Sequence, residues 1–274
     1  MDIKFFCPHW GSKHLDFKVF LQKVKTAGYD GVEMTLPLDT DEKNNVLKAI
    51  SDFGLLHIAQ HWETITTDFE QHKVEYRQYL ENLASAKPLF INAHTGKDFF
   101  SFEQNSELIE IANQVSKQYG IDVVHETHRG RFSFAAHITK EYLKKHPDLK
   151  ITFDISHWCN VAESYLENQQ ESVDLAINRA AHIHSRVGFP EGPQITDPRV
   201  PEWKEAVEIH VGWWKRIIEL NRNAGRPIFT ITTEFGPFPY MPIIPFTQQA
   251  ITSQWDVNVY MMNMLKRELN LFDK

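Results

Sequence analysis

Short runs rich in Val, Ile, Phe and Thr alternate along the chain with longer segments whose apolar residues recur at intervals of three and four. Eight such runs predict strands over 3–10, 31–37, 55–62, 88–94, 121–128, 149–156, 181–187 and 227–234, each followed by enough chain for a helix. Gly28, Gly54, Gly120 and Gly225 each stand after a helical pattern and just before a strand. Helices commonly end there in a left-handed residue, which glycine adopts without a side-chain penalty. Thr67-x-x-Glu70 and Ser101-x-x-Gln104 match the capping-box spacing ahead of two periodic segments. No gap calls for a linker, so the expectation is one domain over residues 1–274.

Eight strand-helix units either close into a barrel or spread into a doubly wound open sheet, and the polar residues decide between them. His9, Glu33, His61, His94, Glu126, Asp154, His184 and Glu234 fall in or near the ends of strands one to eight in turn, one ionisable residue per strand. A closed ring gathers those ends at one mouth, whereas an open sheet at ~4.8 Å per strand scatters them over tens of ångströms. The predicted fold is a single (β/α)8 TIM barrel of the α/β class. No GxGxxG or GxxxxGK(S/T) turn follows the first strand, which removes the simplest dinucleotide and P-loop alternatives.

With 42% hydrophobic and 24% charged residues among 274, the chain has ample material for a core, and disordered or collagen-like classes are excluded. The net charge of -7, with no long basic run, argues against a nucleic-acid partner. Asp2, Lys4, Pro8 and His9 interrupt the apolar residues of the first segment, and no stretch reaches the ~18 uninterrupted apolar residues of a membrane span. A cytoplasmic protein without a membrane partner is expected. Cys7 and Cys159, neither in a CxxC pair, are expected to be reduced packing residues.

Four strand ends embed charge in apolar sequence: Val124-His125-Glu126-Thr127-His128, Phe153-Asp154-Ile155-Ser156-His157, His182-Ile183-His184-Ser185-Arg186 and Thr232-Thr233-Glu234-Phe235-Gly236. Side chains alternate along a strand, so Glu126 and His128 share one face, as do His182, His184 and Arg186. Three carboxylates on one barrel axis repel, and a buried charge costs several kcal/mol unless compensated. A divalent cation is the simplest compensator. Glu126, Asp154, His184 and Glu234 form a mainly hard donor set that suits one Mn2+, Mg2+ or Co2+, with Zn2+ less favoured.

Glu126 on strand five, Asp154-x-x-His157 on strand six, His182-x-His184 on strand seven and Glu234 on strand eight, with Gly28-Tyr29-Asp30-Gly31-Val32-Glu33 entering strand two, resemble the xylose isomerase-like barrels. That group includes sugar and sugar-phosphate isomerases and epimerases. The resemblance implies that Glu126, Asp154, His184 and Glu234 ligate the metal. Glu126 and Glu234 would double as the acid/base pair of an enediolate proton transfer, with His157 on a sugar oxygen. The expected substrate is a sugar, a sugar phosphate or a related polyol carbonyl compound. A metal-assisted hydride shift is a third route beside isomerisation and epimerisation by proton transfer. Sugar 3-epimerases of the group carry an arginine several residues after the strand-seven metal histidine. Here that stretch reads Gly188-Phe189-Pro190-Glu191, and Arg186 is the nearest substitute.

Further substrate contacts are expected from Glu33, His61, His94, Trp10 and Trp62. His61 and His94 are open between extra metal ligands, pocket donors and wall residues. Trp10, Trp62 and Trp158 are open between stacking on a sugar ring and packing. Arg129 and Arg131 either meet a phosphate or lie exposed. The chief rival is a metal-dependent DNA-repair endonuclease of the endonuclease IV type, for which His61, His94, Glu126, Asp154, His157, His184 and Glu234 would supply much of a trinuclear zinc cluster. The Asp-x-His expected after strand seven is missing, with only Asp197 on offer, and the acidic charge opposes DNA. A barrel that has lost activity and only binds carbohydrate is the other alternative, against which the intact Glu126 and Glu234 speak. Loops 187–202 and 235–250, each with four prolines, are expected to form lids or pocket walls. The second is apolar enough to cover a neighbouring copy in a homo-oligomer. Trp213-Trp214 reads as core first and as a dimer contact second.

Overall fold

Alternating apolar positions give each strand one face for surrounding helices and one for the interior of a ring. The computed structural model, which describes residues 1–271, realises this as eight parallel strands: β1 (Asp2–Pro8), β2 (Gly31–Met34), β3 (Leu56–His61), β4 (Ile91–Ala93), β5 (Val123–Glu126), β6 (Ile151–Phe153), β7 (Ala180–His184) and β8 (Ile228–Thr232). They pair in chain order, and β1 closes on β8 with Phe6 opposite Thr232, so the sheet has no free edge. The fold class is a single (β/α)8 TIM barrel, as the one-charge-per-strand pattern predicts.

The surrounding helices are α1 (Phe17–Ala27), α2 (Thr40–Asp52), α3 (Phe69–Ser85), α4 (Phe102–Tyr119), α5 (Ala136–Lys145), α6 (Ser156–Ala162), α7 (Gln170–Arg179), α8 (Lys204–Asn223) and α9 (Gln254–Glu268). All four predicted stop glycines have positive φ: 86° at Gly28, 63° at Gly54, 69° at Gly120 and 73° at Gly225. The capping box forms at α4, where the Ser101 hydroxyl accepts from the Gln104 N–H and Gln104 Oε1 accepts from the Ser101 N–H. At α3 the expectation needs correction. Asp68, not Thr67, is the cap, its carboxylate accepting from the Gln71 N–H at 2.9 Å. An aspartate one position later does the same work with a charge that favours the helix N-terminus.

Outward strand residues such as Phe5, Val32, Phe153, Ile183 and Ile231 pack against Leu21, Val24, Leu143, Ile177 and Trp214 of the helices. A second cluster joins Ala59, Ile91 and Ala93 to Tyr76, Leu80, Leu108 and Val115. Trp213 and Trp214 both belong to the core, and Cys7 and Cys159 are free and buried. No helix among the described residues is long and apolar enough to cross a membrane. Several strands end earlier than predicted, so that Asp154 and Glu234 stand just beyond the last paired residues. At Asp154 the ladder is replaced by a side chain, because the Thr127 hydroxyl accepts from its N–H (2.8 Å) and donates to its carbonyl (2.7 Å).

The loop 187–202 is tied down rather than loose. Ile195 N–H returns to Val187 O at 2.9 Å, and Gln194 brackets Gly236 of the other long loop with two hydrogen bonds. His210 of α8 holds its root: Nδ1–H donates to Ala206 O (2.8 Å), and Nε2 accepts from the Gly188 N–H (3.2 Å). Burial lowers His210 to about 4. The unfolded imidazole takes its proton near pH 6.5 and the folded one only near 4, so this contribution to stability is present above 6.5 and lost as the pH falls through the window. For one side chain the window is worth about 3 kcal/mol. His57, lowered by burial to about 4, shares it. Denaturant unfolding at a series of pH values should show stability falling from pH 6.5 to 4, and His210→Gln, which keeps a donor and an acceptor, should flatten that slope.

Candidate active site

Inward alternation brings the charged strand ends together. Glu126 closes β5, His184 closes β7, and Asp154 and Glu234 follow β6 and β8. All four are buried, and one donor atom from each lies within 4.8 Å of the other three. His184 is oriented from behind. Its Nε2–H donates to the Glu33 carboxylate at 3.0 and 3.2 Å, which turns Nδ1 toward the other carboxylates, 3.5 Å from Glu126 Oε2 and 2.7 Å from Glu234 Oε2. Glu33 is braced in turn by His182, whose Nε2–H donates to it at 3.2 Å, and by the Asn92 amide at 2.8 Å. The same amide reaches Glu126 Oε2 at 2.8 Å.

The electrostatics follow from this crowding. Burial opposes charge on Glu33, yet His184 and His182 hold its carboxyl well below the usual range. Burial opposes charge on His184 too, but Glu234, Glu33 and Glu126 outweigh it and hold its imidazole well above the usual histidine range, so that without a metal the ring favours its protonated form. Asp154 is pushed up to about 6 by burial and its carboxylate neighbours against the pull of Arg186. Arg186 is the one buried cation of the cluster. Its Nη2 pairs with Asp154, lies 3.4 Å from Glu234 Oε2 and donates to His157 Nε2 at 2.7 Å, while Ser156 bonds the other Asp154 oxygen.

These residues fit a divalent cation. Glu126 Oε1, Glu234 Oε2 and His184 Nδ1 are buried without a hydrogen-bond partner, although Nδ1 and Oε2 are only 2.7 Å apart. Lone pairs so close and unbonded call for a shared positive charge. Glu126, His184 and Glu234 present free donors to such an ion, and Asp154 would share its carboxylate between the ion and Arg186.

Above the cluster a cavity of about 360 Å3 opens at the mouth, with Glu126 and Glu234 in its floor and Trp10, Trp62 and Tyr240 on its walls. Arg186 lies under the Tyr240 ring, 4.8 Å from its centroid. His94 and His128 also face this space, with His94 Nε2 3.0 Å from Glu126 Oε2 and the two rings 4.4 Å apart.

No family model matches the chain, and no curated protein matches it. Solved structures do. A 3-keto-D-glucoside 4-epimerase from E. coli superposes with a TM-score of 0.63 at 14% identity, covering 97% of this chain and 100% of its own. A xylose isomerase domain containing protein from Salmonella typhimurium gives 0.63 at 15% identity, covering 99% and 97%. Endonuclease IV from Thermus thermophilus gives 0.58 at 12%, covering 98% and 99%. The fold is that of the xylose isomerase-like TIM barrels.

Within this barrel Glu126, Asp154, His184 and Glu234 come together at the strand ends, while several expected substrate contacts lie elsewhere. Trp10, Trp62, His94 and Arg186 face the cavity. Glu33 does not; it sits behind His184, because its place on β2 is deeper in the barrel. His157 is sealed beneath Arg186, with its ring 3.9 Å from that of His128, so its Nε2 serves the guanidinium and not a sugar oxygen. His61 points outward with the helix-facing residues, its Nε2 2.8 Å from the Thr64 hydroxyl and its ring edge-on to Tyr76. Gln60, one residue earlier, is the inward side chain of β3 and reaches Glu234 Oε1 at 3.4 Å. Trp158 is core, donating to Ser133 O. Arg129 is exposed, whereas Arg131 is buried. Asn92, Gln60, His128 and Tyr240 are the site residues that the sequence reading did not single out. Asn92 and His128 carried one signal, since each lies two residues from a chosen residue on the same strand face.

The Asp154–Arg186 pair sets a stability test. Asp154→Asn leaves a buried guanidinium without its main partner and should cost about 3–5 kcal/mol in metal-free denaturant unfolding. The double variant Asp154→Asn/Arg186→Met should recover a large part of that loss.

Proposed function

We propose that this barrel is a divalent-metal-dependent isomerase or epimerase of a sugar, sugar phosphate or related polyol carbonyl compound. The observation that carries the reading is the convergence of Glu126 Oε1, Glu234 Oε2 and His184 Nδ1, buried atoms without a hydrogen-bond partner, beneath an aromatic-walled cavity whose floor Glu126 and Glu234 form. Bound there, a Mn2+, Mg2+ or Co2+ ion supplies Lewis-acid polarisation of the substrate's oxygens. Trp10, Trp62 and Tyr240 exclude water and offer faces to the C–H groups of a polyol. One of the two glutamates removes the proton from the carbon next to the carbonyl, and the other returns it. Return to the neighbouring carbon interconverts aldose and ketose; return to the opposite face of the same carbon epimerises. Asn92 and His94 hold Glu126 in place, and Gln60 and Arg186 hold Glu234.

The outward turn of His61 weighs against the repair-endonuclease reading, which needs that imidazole in the cluster. The two buried, unpaired thiols support a cytoplasmic location.

Elemental analysis should find about one divalent ion per chain, and solvent deuterium should enter a turned-over sugar. Glu126→Gln and Glu234→Gln should each lower kcat by about 10²–10⁴-fold. Unchanged turnover by Glu234→Gln, or cleavage of abasic DNA in place of sugar turnover, would overturn the assignment.

A further inference from the structure

Arg131 stands apart from the other buried charges among the described residues. It is 7% exposed, and no carboxylate among the described residues comes within ion-pair distance of it, whereas Arg186 is paired with Asp154 and approached by Glu234. Its guanidinium rests instead on three main-chain carbonyls. Nη2 donates to Trp62 O at 3.0 Å, and Nη1 to Thr64 O at 3.0 Å and Gly96 O at 3.5 Å. Carbonyls fix the orientation of a guanidinium without neutralising it, and three bonds leave two of its five donors free. Burying a charge without a counter-charge is costly, and this one lies on the wall of the cavity above Glu126 and Glu234. Lys13, whose Nζ sits 5.2 Å over the Trp62 ring, lines the same cavity. The wall facing the carboxylate floor is therefore cationic, and the cavity holds one end that suits an ion's oxygen ligands and another that suits an anion.

We infer that Arg131, assisted by Lys13, binds an oxyanion substituent of the substrate, a carboxylate or a phosphate, and so selects acidic sugars or sugar phosphates over neutral ones. The inference rests on the proposed function for the rest of the substrate, but the anion site is separable from the metal and the glutamates. A planar guanidinium matches two oxygens of either anion, and its fixation by main chain means that little ordering is lost on binding. The remainder of the substrate then extends toward Glu126 and Glu234, with its polyol chain across Trp10 and Trp62.

The test is binding without turnover. D-glucitol, D-gluconate and D-glucitol 6-phosphate, which share a polyol chain and differ in the anion, are titrated into the EDTA-treated full chain by calorimetry. At least one of the two anions should bind about ten-fold or more tightly than glucitol, and which one does identifies the oxyanion. Arg131→Met should reduce that preference to about two-fold or less, Arg131→Lys should keep part of it, and Lys13→Met should weaken it while leaving the Trp62 loop in place. Metal binding to Arg131→Lys, measured by elemental analysis, should equal that of the native chain. Equal binding of charged and neutral polyols, no binding of either anion, or a preference that survives both Arg131→Lys and Lys13→Met at full strength would overturn the inference. Those results leave the proposed isomerisation standing, because deuterium exchange and the Glu234→Gln variant judge it separately.

Discussion

Four buried carboxylates, Glu33, Glu126, Asp154 and Glu234, share one end of a barrel whose interior offers little water, and the rest of the site answers that repulsion. Each is compensated differently. Glu33 takes two imidazoles and an amide, Asp154 takes a guanidinium and a serine, and Glu126 and Glu234 keep oxygens turned toward Nδ1 of His184. The layering matters. The deepest carboxylate orients His184, the next is held by Arg186, and the two nearest the cavity retain free lone pairs, so reactivity is confined to the groups a substrate can reach.

The same compensation organises the loops. Arg186 neutralises Asp154 below and lies against Tyr240 above, which joins the cluster to loop 235–250. Trp10 completes the contact: a Cβ on Gly236 would fall 2.1 Å from its ring, so only glycine lets that loop close over the mouth. Gln194 then bonds Gly236 from loop 187–202, and His210 anchors the root of that loop at Gly188. Charge balance at the floor and packing at the rim thus depend on one another.

Arg186 and Arg131 show how two identical side chains acquire opposite meanings from their surroundings. One is consumed by the carboxylates that flank it and contributes to order. The other is oriented by carbonyls, has no carboxylate at ion-pair distance among the described residues and lies on the cavity wall.

Sequence alone determined the architecture and the convergence of four strand-end residues. Apolar periodicity sets element type, stop glycines set helix ends, and a charged residue at each strand end needs a closed ring to make sense, so Glu126, Asp154, His184 and Glu234 were legible from local pattern. What tertiary structure decided was depth and direction. His61 attracted attention as the ionisable residue at the end of β3, but strand parity sends it toward the helices and turns Gln60 inward. Glu33 and His157 were recognisable as polar residues at strand ends, yet one lies behind His184 and the other beneath Arg186. Asn92 carries no charge to betray it. The Asp154–Arg186 pair joins β6 to β7, and the isolation of Arg131 exists only once the loops after β3, β4 and β5 are side by side. Period along a strand is a property of neighbouring residues, whereas burial and the compensation of charge are properties of what the closed barrel brings into contact.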